Sequence, residues 1–235
     1  MIRLYQFGRA WGLPDPSPFC MKVVTYLQLA GIDFESIAGM NNLRRAPKGK
    51  LPYIEDAGQL IADSGFIIPY LQQKYGNPLS EPADARQRGA LRAITRMLDE
   101  DLYFAIVYAR WIDEHNWKTH TLPKFFGKMP LPVRAVVPAL IRRNLKKSLH
   151  RQGIARHAPA EIMEIGQRNL EAVRDYLGNN PFIAGEEVSV ADATVYSFVA
   201  GAVKPPHESA MKRFVENDSI LMNYINRMDT RLAQT

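Results

Sequence analysis

The chain has 235 residues, 46% hydrophobic and 23% charged, a composition that excludes a disordered or collagen-like protein and suffices for one large core or two modest ones. Cys20 is the single cysteine, which excludes a disulfide framework, a cysteine zinc cluster and an internal dithiol and predicts a reducing, cytoplasmic location. The formal charge of +6 is local: between His115 and Ala160 stand ten Lys or Arg and no Asp or Glu, leaving 20 basic against 24 acidic residues elsewhere. A short apolar start and the lack of any run near the roughly 20 apolar residues that span a bilayer predict neither a signal peptide nor a transmembrane segment.

In chain order, Ile2 to Phe7 reads as a strand. A loop with Gly8, Gly12, Pro14, Pro16 and Pro18 follows. Phe19, Val23, Tyr26, Leu27 and Ala30 recur at helical spacing up to Gly31, and Ile32 to Ile37 reads as a second strand. Pro52 to Glu55 and Gln59 to Ala62 flank Asp56-Ala57-Gly58 as a β-hairpin. Asp63-Ser64 opens a helix to Tyr75, with Pro69 inside it. After a linker at Gly76 to Pro82, Leu91, Ile94, Leu98, Leu102, Ala105, Ala109 and Ile112 predict one long amphipathic helix from Asp84 to Trp117. Helices are further expected over Ala139 to His150, Ala160 to Leu177, from Ser189 through Val199, and over Ile220 to Leu232. The order predicts an α/β domain, 1–77, followed by an all-helical domain, 84–235.

Several residues have chemistry suited to a site. Ser17 stands at the start of the first helix, where unpaired N–H groups and the helix dipole favour an anion; it reads either as a thiolate-stabilising hydroxyl or as a plain N-cap. Cys20, one turn on, reads as a small buried hydrophobe or as a thiol in its own right. Pro52, just ahead of a strand, suits a cis bond or an edge reserved for a ligand. Asp63-Ser64 pairs a carboxylate with a hydroxyl at a helix N-terminus, suited to an amino acid's ammonium and carboxylate or to simple capping. Lys48 and Lys50 read as anion ligands or solvated lysines.

The succession of strand, Ser17-Pro18-Phe19-Cys20, helix, strand, Leu51-Pro52, hairpin and Asp63-Ser64 resembles the thioredoxin-like domain of glutathione transferases. Asn180-Pro181-Phe182-Ile183-Ala184-Gly185 followed by Ser189-Val190-Ala191-Asp192 resembles that superfamily's C-terminal signature, whose capping box is structural. Pro16 to Lys22, Lys48 to Asp56 and Gln152 to His157 resemble the branch of failed axon connections proteins, related to metaxins.

The resemblance implies a thioredoxin-like N-terminal domain plus an all-α C-terminal domain. It implies glutathione as co-substrate: Ser17 as the catalytic hydroxyl, the backbone of Leu51 before a cis Pro52 on the cysteinyl part, Lys50 or Lys48 near the glycyl carboxylate, and Asp63 and Ser64 on the γ-glutamyl end. The bound thiolate would attack a small hydrophobic electrophile or a peroxide. Tyr5 is an alternative thiolate donor, as in some transferase classes. Trp11 and Tyr108, with Tyr103 and Trp111, are candidate walls of the substrate pocket. A homodimer is expected; nucleic acid and metal are not. The branch keeps open a second reading, a non-catalytic binding module whose basic segment docks to a protein or a membrane surface.

Overall fold

A computed structural model describes residues 1–234. Strand β1 (Ile2–Gln6) is central and pairs in parallel with β2 (Phe34–Ala38) and antiparallel with β3 (Tyr53–Asp56). The hairpin partner β4 (Gln59–Ala62) gives the sheet order β2-β1-β3-β4. Alternation sorts the two faces. Ile2, Leu4 and Ile54 join Val23, Tyr26 and Leu27 of α1 (Pro18–Leu29) in one core; the one-turn α2 (Asn42–Arg45) instead packs Leu43 with the Leu51 and Tyr53 cluster, and Ile67 and Leu71 of α3 (Ser64–Tyr75) complete the first core. On the opposite face Tyr5 stacks on its cross-strand partner Tyr53, ring centroids 4.3 Å apart. Each large apolar side chain so removed from water contributes about 1.5–3 kcal/mol. This is the thioredoxin-like arrangement; α2 is too short to leave an apolar repeat in the sequence.

The remainder is helical. A continuous rod runs through α4 (Ala85–Met97), a π-helical turn (Leu98–Leu102), α5 (Tyr103–Val107) and a second π turn (Tyr108–Ile112). The rod ends at Ile112, five residues before the expected Trp117. Asp113 leaves helical geometry (φ −55, ψ 130) and its carboxylate accepts the Asn116 N–H at 2.8 Å, starting α6 (Glu114–Asn116). A third π turn (Trp117–Thr121), α7 (Leu122–Phe126) and α8 (Val133–Gln152) follow. Helix α8 starts six residues before the expected Ala139, because Pro138 forfeits one backbone bond, to the carbonyl of Arg134 in the exposed first turn.

Helices α9 (Pro159–Leu177), α10 (Val190–Val203), α11 (Ala210–Asn217) and α12 (Ser219–Ala233) complete the fold. Every residue of α10 from Asp192 to Val203 is buried, as expected of a helix apolar on all sides. Its N-terminus is held by Asp192, which accepts the Ile183 N–H, the Ser189 N–H and hydroxyl, and the Tyr224 hydroxyl at 2.7–2.9 Å. Helix α1 packs on α10, Phe19 meeting Phe198 edge-on at 5.7 Å. That contact fixes the N-terminus of α1 against the helical half. Among the described residues no helix is long and apolar enough to cross a membrane.

Candidate functional site

A cavity of about 460 Å³ opens where the N-terminus of α1, the loop before β3, the N-terminus of α3 and the rod converge. Ser17, Lys48, Lys50, Leu51, Pro52, Asp63 and Ser64, scattered over the first 64 residues, all line it. The rod supplies the facing wall with Arg96, Asp99, Glu100, Tyr103 and Phe104. Phe7, Phe19 and Leu43 add apolar surface. Polar and charged side chains therefore stand on both walls, and Phe7, Phe19, Tyr103 and Phe104 form the aromatic part of the lining.

Ser17 is the N-cap of α1, in extended geometry (φ −85, ψ 122), and its carbonyl accepts the Met21 N–H at 2.9 Å. Its hydroxyl takes the Cys20 N–H only at 3.5 Å. Pro18 has no N–H, so Phe19 and the loosely held Cys20 are the first-turn donors beside the hydroxyl. Cys20 itself is fully buried, and burial together with nearby Asp15 pushes its thiol well above the ordinary range. A nucleophilic thiolate is thus disfavoured at Cys20.

The Leu51–Pro52 bond is cis. The Pro52 carbonyl accepts the Asp63 N–H at 3.3 Å. Leu51 is buried, yet its own N–H and C=O make no hydrogen bond among the described residues. Buried peptide groups are seldom left unpaired. Here they border the cavity, where the main chain of an extended ligand can supply both partners.

Asp63 has φ +84, unusual for a side chain with a Cβ, and backbone held in sparsely populated regions clusters at ligand sites. Its carboxylate caps α3 by accepting the Gly65 N–H at 2.9 Å and stands 3.9 Å from the Lys48 ammonium. That ammonium also lies 4.2 Å from the Phe66 ring. Ser64, buried, is the first residue of α3, so its N–H has no intrahelical partner. A carboxylate, a hydroxyl and an unpaired N–H thus meet at one helix end.

Other candidates lie elsewhere. Tyr5 donates its hydroxyl to Glu55 at 2.8 Å and does not line the cavity. Trp11 packs edge-on to His207, centroids 4.6 Å apart, and Tyr108 borders a separate groove with Lys147 and Arg151; neither touches this cavity. Of the aromatic candidates on the rod, Tyr103 is the one that reaches it, and burial raises its phenol above the ordinary range. The sequence reading missed Arg96, Asp99, Glu100 and Phe104. With Tyr103 they follow helical spacing beside the apolar stripe, a signal present but hidden by the attention the stripe draws.

The chain also matches known proteins. A model of the glutathione S-transferase N-terminal domain matches residues 18–116, and one of the glutathione S-transferase C-terminal domain matches residues 166–228. The isoprene-epoxide–glutathione S-transferase of Rhodococcus sp. (strain AD45) is 32% identical over 234 residues, covering 97% of this chain and 98% of that protein. Failed axon connections of Drosophila melanogaster is 32% identical over 208 residues, covering 85% of this chain and 50% of its own length. Among solved structures, the beta-etherase LigF from Sphingobium sp. strain SYK-6 shares the fold at a TM-score of 0.66 and 17% identity, over 100% of this chain and 99% of that one. On the two domain matches and the near full-length relative, the chain belongs to the glutathione S-transferase family.

Proposed function

We propose that the protein is a glutathione transferase that binds the tripeptide in the 460 Å³ cavity and activates its thiol for attack on a small hydrophobic electrophile. The observation that carries this reading is the unpaired main chain of Leu51 between the Ser17 hydroxyl and the Asp63-Ser64 helix end. The cysteinyl main chain pairs with Leu51. The γ-glutamyl ammonium meets the Asp63 carboxylate and its α-carboxylate meets Ser64, while Lys48 or Lys50 takes the glycyl carboxylate.

A free thiol with a pKa of about 8.5 is only a few per cent ionised at neutral pH. The Ser17 hydroxyl and the first-turn N–H groups of α1 lower that value by donating to the sulfur. The thiolate then attacks an electrophilic carbon against the wall of Phe19, Tyr103 and Phe104. For an epoxide, the class named in the Rhodococcus relative, a C–S bond forms and a ring C–O bond breaks. The electron pair settles on the ring oxygen, which takes a proton from water. Two copies are expected to assemble as a homodimer.

A second reading, a non-catalytic binding module, draws on α8 and the segment before it. Leu131, Val136 and Leu140 are exposed there among Arg134, Arg143 and Lys147. Calorimetric titration with glutathione separates the two readings. We expect binding by the parent, weaker binding by Asp63→Ala, and in Ser17→Ala near-normal binding with a higher pKa of the bound thiol. No binding at millimolar glutathione would overturn the transferase reading in favour of the module.

A further inference from the structure

The loop joining β1 to α1 ends on a peptide whose two polar groups are both held by buried ionisable side chains. Asp15 is fully buried, and its carboxylate accepts the Gly8 N–H through one oxygen and the Ser17 N–H through the other, each at 2.8 Å. The first and last turns of the loop are thereby tied to one group. Arg110, buried in the second π turn of the rod, donates to the Pro16 carbonyl at 2.6 Å and to the Gly201 carbonyl of α10 at 2.5 Å. The Pro16 carbonyl and the Ser17 N–H belong to the same peptide unit. One is held by a guanidinium from the helical half and the other by a carboxylate from the loop.

The hold on Arg110 continues inward. The Thr121 hydroxyl donates to the Arg110 carbonyl at 2.6 Å, and the same oxygen lies 2.9 Å from His207 Nε2. Thr121 has one proton and spends it on Arg110, so Nε2 of His207 carries the hydrogen and Nδ1 is bare, with no partner. Trp11, from the loop, covers the guanidinium at 5.6 Å. None of Asp15, Arg110, Thr121 and His207 borders the cavity. A buried guanidinium whose hydrogen bonds go only to carbonyls is costly to desolvate, which a packed apolar residue at the same place would avoid.

We infer that Asp15 and Arg110 are positioning residues: they pin the Pro16–Ser17 peptide by both its polar groups, aim the Ser17 hydroxyl at the sulfur of a bound thiol, and make thiol activation depend on the helical half. The inference deepens the glutathione reading and rests on it. Ser17 is fixed on its other side by its carbonyl, which accepts the Met21 N–H. Loosening the preceding peptide therefore frees rotation about the Ser17 N–Cα bond, which sets where the Cα–Cβ bond, and with it the hydroxyl, is directed. Binding of the tripeptide uses Leu51, Asp63 and Ser64, which neither residue touches.

The test measures the pKa of enzyme-bound glutathione from thiolate ultraviolet absorbance, beside its affinity by calorimetry, in the parent, Arg110→Lys, Arg110→Met and Asp15→Asn. Arg110→Lys keeps the charge but not the fork that spans two carbonyls. We expect affinities within about threefold of the parent and a bound-thiol pKa raised by about one unit, with a loss of thiolate at neutral pH of up to about tenfold, and Arg110→Met shifted further than Arg110→Lys. Folded variants that bind glutathione with the parent's thiol pKa would overturn the inference.

A parent that binds no glutathione overturns the transferase reading instead. Amide hydrogen exchange then decides the positioning: the Gly8 and Ser17 amides should be protected in the parent and exchange faster in Asp15→Asn. If no variant folds, exchange in the parent alone decides, and a Ser17 amide as labile as an exposed loop amide sinks the positioning role.

Discussion

Lys22 of α1 and Asp99 of the rod form an ion pair of 3.1 Å with side chains only 8% and 11% exposed, one of the ties between the sheet half and the helical half. Burial outweighs the attraction of Lys22, so the Asp99 carboxyl titrates above its ordinary range even though it is paired. Removing one partner leaves the other charge buried. Lys22→Ala should therefore cost about 3–5 kcal/mol in denaturant unfolding, far more than an exposed pair such as Arg96 with Glu100. The double variant Lys22→Met/Asp99→Leu should be more stable than Lys22→Ala. Equal losses in Lys22→Ala and Arg96→Ala would show that the pair is not desolvated in solution.

Asp15 and His207 give the stability of the fold opposite slopes with pH. Burial raises the Asp15 carboxyl from 3.8 to about 7 against the pull of its N–H donors. Its folded state therefore binds more protons than the unfolded chain between those values, and its contribution falls as pH rises through that window. Burial lowers His207 from 6.5 to about 3, with Arg110 adding to the effect. Here the unfolded chain takes the proton first, so stability falls as pH drops below 6.5. In the parent the two slopes largely offset each other between about pH 4 and 6.5. Asp15→Asn should unmask a rise in stability with pH across that range, and His207→Gln a fall. Chemical denaturation at several pH values reads both signs, and identical slopes in the two variants would refute the assignment.

The parts of the fold that the sequence announces are those with local punctuation. Strand β1, helix α1, the hairpin and α3 are bounded by prolines, Gly31, Asp56-Ala57-Gly58 and the Asp63 cap. Those boundaries also carry Ser17, Leu51 and Asp63 to one cavity. What stayed hidden depends on burial. Between Pro14 and Pro16, Asp15 looks like a turn residue, and Arg110 looks like a solvated charge on an amphipathic helix, yet both are interior. Tyr103 and Tyr108 are joined by the regular α5, whose five steps of about 100° turn the facing by about 140°, which is why Tyr103 reaches the cavity and Tyr108 does not. Helix α11, eight residues after the Ser209 cap, is too short for its apolar spacing to stand out.

Gly166 lets α9 pack tightly against Met211 of α11 and Ala105 of α5. A Cβ there would fall 2.2 Å from Met211 Sδ and 3.0 Å from Ala105 Cβ. The methionine is flexible, but it is fully buried and has little room to retreat. Gly166→Val should destabilise by about 1–3 kcal/mol through overpacking. Adding Met211→Ala should recover part of that loss, because the thioether occupies the space the new side chain needs. Thermal unfolding of the two singles and the double forms the cycle; strictly additive losses would mean the contact is relieved elsewhere.

Asp63 offers a separation of fold from ligand chemistry. Its carboxylate caps α3 through Gly65 N–H at 2.9 Å, its backbone sits at φ +84, and Lys48, its ion-pair partner among the described residues, stands at 3.9 Å on an exposed surface. Asparagine keeps an oxygen for the cap and has the same shape as aspartate, so the unusual backbone geometry costs both alike and Asp63→Asn should change stability by less than about 0.5 kcal/mol. The lost charge is a different matter. A hydrogen bond between an ammonium and a carboxylate contributes about 1.5–3 kcal/mol, so glutathione affinity should fall by roughly 10- to 100-fold. Asp63→Ala, which also removes the cap, should lose about 1 kcal/mol of stability on top of the same loss of affinity. Affinity unchanged in Asp63→Asn would reduce Asp63 to a helix cap and move the γ-glutamyl ammonium to Glu100, a carboxylate of the rod wall whose partner Arg96 is exposed.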